Sequence, residues 1–166
     1  MIDEKLLKDA ENGDAEAQVN VGLYYIQNED YEKALSWFSK AAKQGDKWGQ
    51  YNLGVSYDKG RGVSQDYKEA YGWYLKSAEQ GLAEAQGNLG EMFLDGDYVA
   101  QDYKIAINWF LKAVEQGNLS SITRIGFMNE YGYGVPQDYK IAFEWYKDAA
   151  EEGERVAQTN LGKLYL

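Results

Sequence analysis

The amino-acid sequence predicts an all-α fold, a solenoid of antiparallel helix pairs, on three observations. Gly45, Gly81, Gly117 and Gly153 recur at a step of 36 residues, and Trp37, Trp73, Trp109 and Trp145 keep the same step. Self-similarity at such a period marks stacked supersecondary units. Each unit then carries two segments whose small or apolar residues follow the i, i+3, i+4, i+7 spacing of one helix face. The first unit has a shorter internal loop, since Tyr31 follows Tyr25 closely while a longer stretch separates Tyr57 from Tyr67.

Helix A of each unit is carried by stretches such as QYNLGVSY (Gln50 to Tyr57), QGNLGEMF and QTNLGKLY. Gly22, Gly54, Gly90, Gly126 and Gly162 fall in its middle, where glycine costs about 1 kcal/mol relative to alanine. A cost repeated in every copy points to a steric need, the close approach of a second helix. Helix B starts after a glycine-containing loop. Asp30, Asp66, Asp102 and Asp138 stand at its N-cap, where a carboxylate accepts hydrogen bonds from the free N–H groups of the first turn. Along helix B a small residue (Ala34, Ala70, Ala106, Ala142) and a large ring (Phe38, Tyr74, Phe110, Tyr146) recur, so small faces large across the A/B seam. EQG or EEG ends helix B in three units, with glycine free to take the left-handed cap conformation.

The loop GRGVSQD (Gly60 to Asp66), feeding a helix N-terminus, has the form of a phosphate cradle. It returns as GDYVAQD and GYGVPQD, whereas a nucleotide site needs one such loop. These glycines are read as punctuation.

Composition excludes several chemistries. With no cysteine and no histidine, thiolate catalysis, imidazole acid–base catalysis and zinc sites of the usual ligand sets are absent. The seven serines lack a base to activate them, and the acidic residues show no EF-hand spacing. The expectation is a non-enzymatic protein with no cofactor and no metal. The net charge of −10, from 17 basic and 27 acidic residues, repels nucleic acid and anionic membrane surfaces and favours a basic protein partner. The N-terminal MIDEKLLKDAENG has no apolar core of a signal peptide, and no apolar run reaches membrane-spanning length. A cytoplasmic location is expected.

The pattern A-Q-x-N-L-G-x-x-Y-x-x-G-x-G-V-x-Q-D-Y-x-x-A-x-x-W-[YF]-x-K-x-A-x-Q-G resembles the Sel1-like repeat, a relative of the tetratricopeptide repeat, over nearly the whole chain. The resemblance implies a right-handed α/α superhelix whose helices A line a concave, protein-binding surface. In its register the chain is one domain over 1–166: a partial helix B over 1–12, repeats 13–44, 45–80, 81–116 and 117–152, and a terminal helix A over 153–166.

In the related tetratricopeptide register the second, fifth, ninth and twelfth positions of helix A are concave. Of these the candidate partner-binding residues are Leu23, Ile26, Trp48, Tyr51, Val55, Asp58, Glu84, Glu91, Leu94, Phe127 and Glu130. Trp48 departs from its equivalents Glu16, Glu84, Ser120 and Val156, so the scaffold does not require it. Two accounts remain open for it: an aromatic binding anchor, or packing between neighbouring helices A. The recurring tryptophans of helix B are read as core. In the fourth unit Ile122, Arg124 and Asn129 replace glutamine, asparagine and tyrosine, through drift or for a partner.

The function expected is a protein–protein interaction module, an adaptor or regulator. The alternative is a dedicated inhibitor or immunity protein that neutralises a basic toxin or enzyme, as in some short bacterial proteins with this repeat. Leu161, Gly162, Leu164, Tyr165 and Leu166 of the last helix A are expected to be uncovered, which raises a homodimer through that helix.

Overall fold

The computed structural model describes residues 2–164, and every regular element among them is a helix. In chain order these are α1 (Glu4–Glu11), α2 (Ala15–Gln27), α3 (Tyr31–Lys43), α4 (Lys47–Lys59), α5 (Tyr67–Glu79), α6 (Ala83–Asp95), α7 (Tyr103–Val114), α8 (Leu119–Tyr131), α9 (Tyr139–Glu151) and α10 (Arg155–Leu164). Even-numbered helices are the expected helices A and odd-numbered ones the helices B. The chain divides into two compact units, Met1–Ala85 and Gln86–Leu166.

Helix starts are fixed locally. The Asp66, Asp102 and Asp138 carboxylates each accept from two backbone N–H groups of the following turn, and Asp30 accepts from Lys33 N. Asp14, Asp46 and Asn118 cap α2, α4 and α8 in the same way. The loop glutamine of each VxQD motif closes the A-to-B connection. Gln65, Gln101 and Gln137 donate from their side-chain amides to the last-turn carbonyls of Asp58, Leu94 and Glu130 at 2.6, 2.7 and 2.8 Å. The motif that opens like a phosphate loop thus satisfies orphan carbonyls at a helix C-terminus.

In the first unit, Ala34, Phe38, Ala42 and Leu53 form one buried cluster, and Ala10, Ala17 and Val21 form another. The mid-helix glycines are what allow the pairs to close. A Cβ on Gly54 would stand 2.7 Å from the Tyr74 ring, well inside contact distance. In the second unit Leu94, Ala106, Phe110, Ile125 and Met128 cluster, as do Ala142, Tyr146, Ala149 and Ala157. There a Cβ on Gly126 would stand 2.8 Å from Tyr146.

The helix-B tryptophans differ from expectation: all four are half-buried rather than enclosed. Trp37 and Trp73 lean on the two clusters of the first unit. A lysine three residues on, hence on the same helix face, covers the outer side of three of them. Lys40, Lys76 and Lys112 put Nζ 3.7, 4.0 and 4.1 Å from the ring centroids of Trp37, Trp73 and Trp109. Asp148 occupies that place after Trp145.

The last helix is also less bare than its sequence suggests. Leu161 and Leu164 pack against the cluster of Ala142, Tyr146, Ala149 and Ala157, because α10 lies on its own preceding helix B. Gly162 faces open space, and Tyr165 and Leu166 lie outside the described residues. The apolar surface expected for a homodimer is therefore reduced by intramolecular packing of both leucines.

Candidate binding face on the first two helix pairs

Four of the expected site positions turn toward their own repeat. At the twelfth position of helix A stand Ile26, Asp58, Leu94 and Glu130, opposite Phe38, Tyr74, Phe110 and Tyr146 of helix B. Tyr74 Oη donates to Asp58 Oδ2 at 3.2 Å, and Tyr146 Oη donates to Glu130 Oε2 at 2.7 Å. Where the ring carries no hydroxyl, the partner is aliphatic: Ile26 packs on the Phe38 cluster, and Leu94 is buried with Phe110. Asp58 also pairs with Lys59 at 3.0 Å. Position twelve thus reads the helix-B ring.

Glu91 and Phe127 also have internal contacts. Glu91 Oε1 accepts from Arg124 Nε at 2.5 Å, which gives the unusual Arg124 a partner. Phe127 is half-buried against both clusters of the second unit and meets the rings of Tyr131 and Tyr133 at 4.7 and 5.7 Å. Glu84 is half-buried at the start of α6.

A second pairing was not foreseen from the sequence. The helix-A glutamine accepts from the glutamine that caps helix B: Gln44 Nε2 to Gln18 Oε1, Gln80 Nε2 to Gln50 Oε1 and Gln116 Nε2 to Gln86 Oε1, each at 2.8 Å. In the fourth repeat both partners change together, to Ile122 and Glu152. Ile122 there packs on the Ala142 and Tyr146 cluster, and Asn129 donates to the Ile125 carbonyl at 2.8 Å. The departures of this repeat are accommodated internally.

Among the candidates only Leu23 of α2 and Trp48 of α4 are exposed. Leu23 and Trp48 are each 40% exposed. Tyr51 holds the Trp48 indole edge-to-face, centroids 6.0 Å apart at 86°, and is itself 6.0 Å from the Tyr74 ring. Val55 is half-buried one helical turn further on. Beside Trp48 opens a groove of about 460 Å³ lined by Glu16, Val19, Asn20, Leu23, Asp46 and Trp48. Val19, Leu23 and Trp48 are its apolar lining, and its polar groups are two carboxylates and an amide.

Helix pairs at a near-constant period, seamed by glycine against a ring and capped alike, define an α/α repeat protein. Residues 15–46, 49–82, 83–118 and 119–154 each match the Sel1 repeat. The chain belongs to the Sel1 repeat family, whose members are in general protein–protein interaction modules and typically non-enzymatic. The fold is similar to that of a protective antigen present in uropathogenic Escherichia coli, with TM-score 0.89 and 40% identity, over 99% of this chain and 36% of that one. A Sel1 repeat protein from Oxalobacter formigenes gives TM-score 0.87 and 33% identity, over 92% of this chain and 64% of its own. An F-box protein of Arabidopsis thaliana is 39% identical over 54 residues, 32% of this chain and 15% of its own. This chain thus spans less than two thirds of the length of each of these relatives. Among the described residues, no helix is long and apolar enough to cross a membrane, and no group of three or more carboxylates is placed to hold a metal ion.

Proposed function

We propose that the chain is a non-catalytic binding module, an adaptor or regulator, that receives a basic protein partner on the outward face of α2 and α4. One observation carries the reading: Trp48 stands 40% exposed beside a groove, at a position that other repeats fill with Glu16, Glu84, Ser120 and Val156. A large aromatic held by a neighbouring ring and left open to solvent is the type of residue that dominates interface energies. Leu23 and Val19 extend the apolar area, while the net charge of −10 steers a basic partner toward it.

Parallel affinity capture with the wild-type chain, Trp48→Ala and an Ile141→Ala control tests the reading. Ile141 is also an exposed apolar residue, on α9, and is not among the residues that line the groove. The expected result is a basic protein retained by wild type and Ile141→Ala and lost by Trp48→Ala. One stoichiometric partner whose activity the chain abolishes would make the module an inhibitor; several weak partners would make it an adaptor. Equal capture by all three proteins would reject the face.

A further inference from the structure

The groove beside Trp48 has a chemistry narrower than a general apolar patch. Glu16 and Asp46 are its charged residues, and neither lysine nor arginine is among the side chains that line it. Asp46 uses Oδ1 to cap α4 through Gly49 N at 2.7 Å, which fixes the carboxylate in place and leaves its second oxygen available. Val19 and Leu23 complete an apolar wall, and Asn20 adds an amide. Anionic walls, an apolar side and an exposed indole complement one kind of side chain, a cation with an apolar stem.

The protein already places cations over several of its own aromatic rings. Trp37, Trp73 and Trp109 each carry a lysine ammonium within 3.7 to 4.1 Å of the ring centroid, and Arg61 lies over Tyr31 at 5.8 Å. Trp48 has an aromatic neighbour instead, with no cation over its ring among the described residues. Its edge-to-face contact with Tyr51 orients the indole without enclosing it.

Resting on the binding role assigned above to this face, we propose that the groove receives an arginine side chain of an extended basic polypeptide segment. The guanidinium stacks on Trp48 and is neutralised by Glu16 and Asp46, while the arginine stem lies along Val19 and Leu23. Arginine fits better than lysine because its planar, weakly hydrated cation stacks on an aromatic face and offers forked donors to carboxylates.

The test is selection of a random dodecapeptide phage library on the full chain, counter-selected on Trp48→Ala, whose folding is checked by circular dichroism. Selected peptides should be enriched in arginine. The best of them is then titrated calorimetrically as synthesised, with its arginine replaced by the isosteric neutral citrulline, and against Glu16→Gln. Citrulline should weaken binding about tenfold or more, and Glu16→Gln should weaken it in the same direction, as expected for a desolvated cation–π and ion-pair contact. Trp48-dependent peptides that lack arginine, or that tolerate citrulline, would overturn the arginine assignment and leave the binding face standing. A library yielding no Trp48-dependent peptide would overturn both.

Discussion

The Tyr146 hydroxyl donates to Glu130 across the seam of the fourth helix pair at 2.7 Å, and Tyr74 does the same to Asp58 in the second. In the first and third pairs the hydroxyl and the carboxylate are both missing, replaced by Phe38 with Ile26 and Phe110 with Leu94. A ring hydroxyl enclosed in a helix seam needs an acceptor, and an acid beside a phenyl ring would be left without a donor. Ring and acid therefore change as a unit.

A double-mutant cycle follows from this coupling. Tyr146→Phe should cost about 1–2 kcal/mol by removing the hydrogen bond from the buried hydroxyl to Glu130. Tyr146→Phe combined with Glu130→Leu, which recreates the third pair, should recover most of that loss. Urea denaturation of the three variants measures it; strictly additive losses would contradict the coupling.

The same pair predicts alkaline behaviour. Burial first, then the hydrogen bond to Glu130 and its negative charge, push the Tyr146 hydroxyl far above the ordinary tyrosine value of about 10. A group whose folded value is raised stabilises the fold fully below its unfolded value, and that contribution is lost as pH rises through the folded one. The ring-carbon resonance of Tyr146 in 13C-tyrosine-labelled protein should therefore stay unmoved across the range where free tyrosine ionises, around pH 10. Titration there would contradict its burial.

Glycine substitutions should separate by environment. Gly54→Ala places a methyl 2.7 Å from Tyr74 and should destabilise the protein by about 1–3 kcal/mol through overpacking. Gly162→Ala, whose added methyl meets nothing within 4 Å beyond its own helix backbone among the described residues, should stabilise α10 by about 1 kcal/mol from helix propensity alone. Thermal melts and amide exchange in α10 check the two signs.

Much of this fold is legible in one sequence because its determinants are local. Asp66 lies one residue ahead of the helix it caps, and Gly54 announces a close neighbour by recurring where glycine is costly. Trp48 could be singled out because its equivalents are unrelated residues. The partners of Asp58 and Glu130 could not be read in this way. Their register matches exposed positions of a related repeat, and only the docked helix B reveals that tyrosines reach them. The half-burial of Trp73 does have a signal in the sequence, a lysine three residues on in three of the four copies, which places an ammonium over the ring.

Ionic strength offers another check on the acidic groove. Binding that depends on Glu16 and Asp46 should weaken between 0.05 and 0.5 M salt, concentrations that bracket the regime in which exposed charges are screened over about 10 Å. A salt-independent affinity would assign the contact to Leu23 and Trp48 alone.

The most direct test of the central claim compares Trp48→Ala with Trp73→Ala. Trp73 is half-buried against the cluster of Ala34, Phe38, Ala42 and Leu53, so its truncation should cost about 3 kcal/mol of stability. Trp48→Ala should change stability by less than about 1 kcal/mol, as exposed substitutions do, yet lower the affinity for the captured partner about thirtyfold or more. An unchanged affinity, or a Trp48→Ala variant that melts as early as Trp73→Ala, would contradict the assignment of this face to binding.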